Sequence, residues 1–121
     1  MRYESRSNRP SDVERRPNGD QEFWISTESE GEGSVLALYG ELDIASAPIL
    51  ERRLKKLQWA GAPTIVIDLS GLDFIDSTGL HVLIRMYRRA PEGQMSILRG
   101  SHRVHRMFEL TKTDTILPFV G

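Results

Sequence analysis

A chain of 121 residues, 39% hydrophobic and 27% charged, is sized and composed for one globular domain with a single core. Its formal net charge of −1 excludes a bulk attraction to nucleic acid, and its lack of cysteine excludes disulfides and a thiolate zinc site. No apolar run approaches the ~20 residues of a membrane span, and no secretory signal opens the chain, so the expectation is a cytoplasmic protein.

Residues 1–20 read as a disordered N-terminal tail. Arg, Ser, Asn, Pro and acids dominate it, and Tyr3 and Val13 are its only sizeable apolar or aromatic side chains after Met1. Such a segment cannot bury enough surface to offset its ordering entropy. The folded domain is expected over residues 21–121. Phe23, Ile25 and Thr27 alternate with Trp24 and Ser26 in the manner of a strand. Residues 28–33 read as a flexible hairpin loop, and residues 35–39 as an interior strand, mostly apolar on both faces. Gly40-Glu41-Leu42-Asp43 leads out of that strand.

Ser46 is placed to cap a helix that starts near Ala47, with Pro48 in its first turn. Leu50, Leu54 and Leu57 form the buried stripe of this helix; Arg52, Arg53, Lys55 and Lys56 form its wet side. Gly61-Ala62-Pro63 stops it. Residues 64–69 are a short, continuous apolar strand suited to the centre of a sheet. The helix beyond Ser77 carries Leu80, Leu83, Ile84 and Tyr87 at i, i+3, i+4 and i+7. Met95, Ile97 and Leu98 suggest another strand. Ser101 caps a helix with Val104, Met107, Phe108 and Leu110 inward, and residues 115–120 read as a last short strand limited by Pro118. The order β, β, α, β, α, β, α, β gives an α/β domain: a mixed sheet of four to five strands with about three helices packed on it.

The functional signal concentrates in Ile65-Val66-Ile67-Asp68-Leu69-Ser70-Gly71-Leu72-Asp73-Phe74-Ile75-Asp76-Ser77-Thr78-Gly79-Leu80. An apolar strand runs into a polar turn and then into an apolar helix. At the mouth of that helix Ser77 is expected to expose its hydroxyl, with backbone N–H groups pointing toward it, and such a position can respond to a phosphate. Asp76 or Ser77 could serve only as the N-cap. Three features exceed that role. Two cap-competent residues and Thr78 stand in a row. Gly79 inside the first turn costs about 1 kcal/mol relative to Ala, as though something must approach the backbone closely. The segment also follows the C-terminal end of a buried strand, where open α/β sheets place their sites. Asp43 ends another strand. It could cap the next helix, or, if the two strands are neighbours, share one rim with Ser77. His81, one turn after Ser77, reads as a partner contact or a surface residue.

The pairing of Gly40-Glu41-Leu42-Asp43 with the segment from Val66 to Leu80 resembles the STAS domain of bacterial anti-sigma factor antagonists, and the resemblance runs from about Phe23 to Phe119. It implies that Ser77 is the phosphorylated serine. It implies that Asp43 and Asp76 are the acidic neighbours used for phosphorylation or partner binding, and that Thr78 and Gly79 begin the helix that docks on the anti-sigma factor. The implied partners are an anti-sigma factor with serine kinase activity and a metal-dependent serine phosphatase. The implied protein is not an enzyme and holds no cofactor or metal; ATP is used by the partner kinase. Direct nucleic-acid and membrane contacts are not implied, and self-association extends no further than a weak homodimer. Members of the family commonly end with one more helix than this chain has room for after Pro118, so the last layer is thinner or is supplied by another chain.

Other readings fit less well. An aspartic protease half-site would need one residue, not two, between Asp76 and Gly79. A serine hydrolase would need an elbow around its nucleophile, and Ser77 and His81 on one helix are poorly set as nucleophile and base. His81, His102 and His105 could suggest a metal, but no carboxylate or third ligand is in sequence register. The cluster Arg99, His102, Arg103, His105, Arg106 has no aromatic interleaving for nucleic acid and reads as a solvated helix face. The alternative within the family is a non-switching scaffold, such as an accessory of a lipid ABC transporter or a subunit of a stress-signalling assembly.

Overall fold

The computed structural model describes residues 13–15 and 23–121. Six strands form one sheet in chain order: β1 (Val13–Arg15), β2 (Phe23–Glu30), β3 (Gly33–Leu42), β4 (Ile65–Ile75), β5 (Met95–Leu98) and β6 (Phe119–Val120). Three helices connect the later strands: α1 (Ala47–Trp59), α2 (Ser77–Arg89) and α3 (His102–Leu110), the last followed by a 3₁₀ turn at Thr113–Thr115. The pairs from β1 to β3 are antiparallel and those from β3 to β6 are parallel. Each parallel step moves to the next neighbour through one helix, and right-handed crossovers all running in one direction put the helices on one face.

The core lies between that face and the helices. Leu36, Leu38, Ile65, Ile67, Leu69 and Ile97 from the strands meet Leu50, Leu54, Leu83, Met86, Val104 and Phe108 from the helices, all of them buried. On the opposite face Trp24 stacks on its cross-strand partner Tyr39, with ring centroids 5.3 Å apart. Burial raises the pKa of the Tyr39 phenol, and the negative charges of Asp68 and Glu28 add to the shift.

Five strands are those read from the sequence; the sixth, β1, corrects the reading of residues 1–20 as wholly disordered. Val13–Arg15 pair with Ser26, Ile25 and Trp24 at the edge of β2, and the rest of that segment lies outside the described residues. The hairpin loop is also shorter than expected. Glu28, Ser29 and Glu30 remain in β2, paired with Val35, Ser34 and Gly33, so only Gly31 and Glu32 turn the chain. Gly31 has a φ of 61°, the conformation that a glycine-first II′ turn requires. β4 runs on through the polar segment to Ile75, with two register shifts against β3.

Ser46 does not cap α1. Its hydroxyl turns back to donate to the Glu41 carbonyl (2.7 Å) and accept from the Asp43 N–H (2.9 Å). The Asp43 carboxylate takes the Ala45 and Ser46 N–H groups instead, at 3.0 and 3.2 Å. Ser101 does cap α3, accepting from Val104 N–H at 3.2 Å. Leu110 departs from expectation too: it is 68% exposed, not inward.

α1 and α2 are joined at their outer edge by Glu51, which accepts from the Arg85 guanidinium at 2.8 and 3.4 Å and lies 3.5 Å from Lys55. The Arg85 hydrogen bond is the main reason that the Glu51 carboxyl titrates below its ordinary value. Stability drawn from a depressed carboxyl is present above its unfolded pKa and is lost as the pH falls through the folded one. Arg85→Ala therefore moves the Glu51 titration, followed by carboxyl NMR, upward toward the ordinary value. Ile67→Ala, at a site with 0% exposure, lowers the unfolding free energy in urea by about 2–5 kcal/mol. Trp59→Ala, at a site 93% exposed, stays within about 0.5 kcal/mol.

Candidate functional site

The site is built where β3 and β4 end side by side. Leu42 pairs with Ile75 in parallel register, and the Asp76 N–H donates to the Leu42 carbonyl at 3.1 Å. Asp43 and Asp76 thus leave the sheet from neighbouring strands, whose spacing is about 4.8 Å. The shared rim expected for Asp43 and Ser77 is present.

Asp76 is the N-cap of α2. Its backbone is extended, and its Oδ1 accepts from Thr78 N–H at 2.9 Å and Gly79 N–H at 3.2 Å. This decides between the two candidate caps. Ser77 becomes the first helical residue, exposed, and its hydroxyl makes no hydrogen bond with another described residue, His81 included. The cap also corrects one expectation: the Thr78 and Gly79 N–H groups do not point unengaged at Ser77, because the Asp76 carboxylate already occupies them. A group added to Ser77 would meet the positive end of the helix dipole together with a carboxylate one residue away.

Gly79 is buried, and the close approach inferred at it comes from within the protein. A Cβ there would lie 2.6 Å from Leu42 Cγ and 3.1 Å from the Leu42 carbonyl oxygen. Gly79 lets α2 start directly against the end of β3. Thr78 is half-buried and His81 is exposed. Ser77, His81 and Arg85 recur every fourth residue and share one exposed face of α2. His81, Ile84, Arg85, Arg88 and Arg89 border a shallow groove along it.

Two apolar features escaped the sequence reading. Ile44, between Asp43 and the start of α1, is 74% exposed. Phe74, two residues before Asp76, is 44% exposed and opens a groove of about 440 Å³ between β4 and α3, walled by Ile75, Arg103, Val104, Met107 and Leu110. Their only signal in the sequence is a large apolar side chain out of phase with its element. The basic cluster of α3 is also not uniformly solvated: Arg103 and Arg106 are exposed, but His105 is buried.

An unengaged hydroxyl thus stands at a helix start next to the Asp76 carboxylate, at the edge where Asp43 also leaves the sheet of this α/β domain. The STAS domain family model matches residues 25–120, and the chain belongs to that family. Among its relatives, an anti-sigma-B factor antagonist of Staphylococcus aureus is 29% identical over 89 residues, covering 72% of this chain and 82% of the relative. The anti-sigma-B factor antagonist of Bacillus subtilis is 32% identical over 80 residues, covering 64% of this chain and 72% of the relative. The crystal structure of an anti-sigma factor antagonist from Mycobacterium paratuberculosis superposes with a TM-score of 0.75 at 28% identity, covering 80% of this chain and 84% of that one. The antagonist SpoIIAA in its unphosphorylated form shares the fold, with a TM-score of 0.67 at 23% identity over 80% of this chain and 88% of that one. Among the described residues no helix is long and apolar enough to cross a membrane.

Asp76→Ala removes the acceptor of two N–H groups and lowers stability by about 0.5–2 kcal/mol, whereas Asp76→Asn, which keeps an acceptor, costs a few tenths. Ser77→Ala, which breaks no hydrogen bond, stays within about 0.5 kcal/mol in the same urea titration.

Proposed function

We propose that this protein is an anti-sigma factor antagonist switched by phosphorylation of Ser77. In the unphosphorylated form the rim of Asp43, Asp76, Ser77 and the first turns of α2 docks on an anti-sigma factor that is also a serine kinase, and the sigma factor is released. The kinase then transfers the γ-phosphoryl of its ATP to the Ser77 oxygen, the proton leaves the hydroxyl and ADP departs. The complex separates, and a serine phosphatase restores the hydroxyl. All of this takes place in the cytoplasm, with the antagonist monomeric or weakly dimeric.

One observation carries this reading: the Ser77 hydroxyl stands exposed and unengaged because Asp76 performs the capping. A phosphoryl group there adds about −1.5 to −2 charge at pH 7. The fold keeps its cap and its core, while the surface gains bulk and negative charge beside two aspartates. A partner surface matched to a neutral hydroxyl then meets a charge mismatch of several kcal/mol. At 1.4 kcal/mol per tenfold, about 3 kcal/mol is roughly a hundredfold in affinity.

With the cognate kinase and ATP, peptide mass spectrometry is expected to find phosphate on Ser77. Calorimetry is expected to show Ser77→Ala binding the kinase as the wild type does, and Ser77→Asp and the phosphorylated protein binding at least about a hundredfold more weakly. Asp43→Asn, which keeps the acceptor for Ala45 and Ser46 while removing the charge, is expected to weaken kinase binding or phosphorylation without changing stability. Phosphate confined to Thr78 or Ser70 overturns the site. Equal binding with and without phosphate on Ser77 favours the non-switching scaffold.

A further inference from the structure

α3 and the turn after it bring together three side chains that the antagonist reading does not use. His105 is 6% exposed. Its ring and that of Phe119 meet edge to face, at 4.8 Å between centroids and 86° between planes, and Phe108 lies at 5.9 Å. Its buried Nδ1 has no hydrogen-bond partner among the described residues. Glu109 stands one helical turn further on and so shares its face. The chain then reverses at Lys112, whose φ is 63°, and the 3₁₀ turn returns Asp114 to the same place. A ring nitrogen of His105 and one carboxylate oxygen from each acid all lie within 4.8 Å of one another. Among the described residues neither Glu109 nor Asp114 forms an ion pair.

We propose that His105, Glu109 and Asp114 form a binding site for a divalent cation of the zinc class. Three observations meet there. A buried imidazole normally has a partner, and this one packs against the touching rings of Phe108 and Phe119 without one among the described residues. Two carboxylates approach each other, and among the described residues neither is in an ion pair with a cationic side chain. The donor set, one imidazole nitrogen and two carboxylates, is one that Zn²⁺ accepts with a fourth position left to water, whereas Ca²⁺ and Mg²⁺ favour oxygen alone. Ligands about 2.0–2.1 Å from a tetrahedral ion lie about 3.3 Å apart. The exposed Glu109 and half-exposed Asp114 need only rotate inward to reach that distance. Glu109, at i+4 from His105, corrects the expectation that no carboxylate is in register with the histidines of α3, and Asp114 reaches them only through the left-handed turn. Bound there, the ion would tie α3 to the 3₁₀ turn and so hold the two-residue strand β6 against β5.

The test uses the full chain, stripped with EDTA and dialysed. Calorimetry with ZnCl₂ is expected to give one site per chain with a micromolar Kd, and CoCl₂ a saturable visible absorption band. Tm is expected to rise with ZnCl₂ concentration. The variant Glu109→Gln/Asp114→Asn, with an unchanged CD spectrum, is expected to lose at least tenfold in Zn²⁺ affinity, while His81→Ala/His102→Ala retains it. In the wild-type protein, Zn²⁺ is expected to shift the amide NMR signals of Thr113 and Phe119. The proposal is overturned if the wild type shows no saturable binding up to about 1 mM ZnCl₂, if Glu109→Gln/Asp114→Asn binds as the wild type does, or if the shifted amides lie around His81 and His102.

Discussion

Leu42 fixes the geometry on which the rest depends. Its carbonyl accepts the Asp76 N–H at 3.1 Å, which locks the end of β4 beside the end of β3. Its side chain fills the space that a Cβ on Gly79 would need, so α2 begins in direct contact with β3. Parallel strands supply this kind of junction, because both chains leave the sheet at the same edge and both then enter helices. A shift of one residue in the β3–β4 register would turn the buried Ile65, Ile67 and Leu69 out of the core. The burial of those side chains therefore also sets the spacing of the two aspartates on the rim.

Both aspartates hold backbone N–H groups as well as charge. Asp43 takes the Ala45 and Ser46 amides of the turn into α1, and Asp76 takes two in the first turn of α2. Their carboxylates are pinned by hydrogen bonds, whereas the hydroxyl of Ser77, next after Asp76, makes none with another described residue. On the proposed reading this division explains how a switch can act without refolding. The groups that maintain the scaffold are not the group that changes, and the added charge lands beside charges that cannot move away. On the same reading, the exposed Ile44, next to Asp43, and Phe74, two residues before Asp76, offer apolar contact that a protein partner would cover.

Where the structure departs from the sequence pattern, long-range pairing or a competing hydrogen bond is the cause. Glu28, Ser29 and Glu30 look like loop because they are polar and stand next to glycine. They stay extended because β3 lies opposite them residue for residue. Val13–Arg15 have too little apolar surface to predict a strand, and the open edge of β2 supplies their pairing. Ser46 looks like a cap from its place before Ala47, but the Glu41 carbonyl, five residues back, claims its hydroxyl. Leu110 continues the apolar run of α3, yet α3 ends with it, and it stands at the mouth of the groove beside Phe74.

The sequence by itself determined most of the elements and pointed to the candidate site. Hydrophobic periodicity, helix caps and the strand–Asp76-Ser77-Thr78-Gly79–helix junction are local properties, set by residues within a few positions of one another. The tertiary structure alone decided which aspartate caps α2, what lies against Gly79 and why the Ser77 hydroxyl is unengaged. It alone brought Asp43 beside Asp76 and Asp114 beside His105. Each of these depends on contacts between residues distant in the chain or on competition among several hydrogen-bond partners, and spacing along a sequence does not record the outcome of that competition.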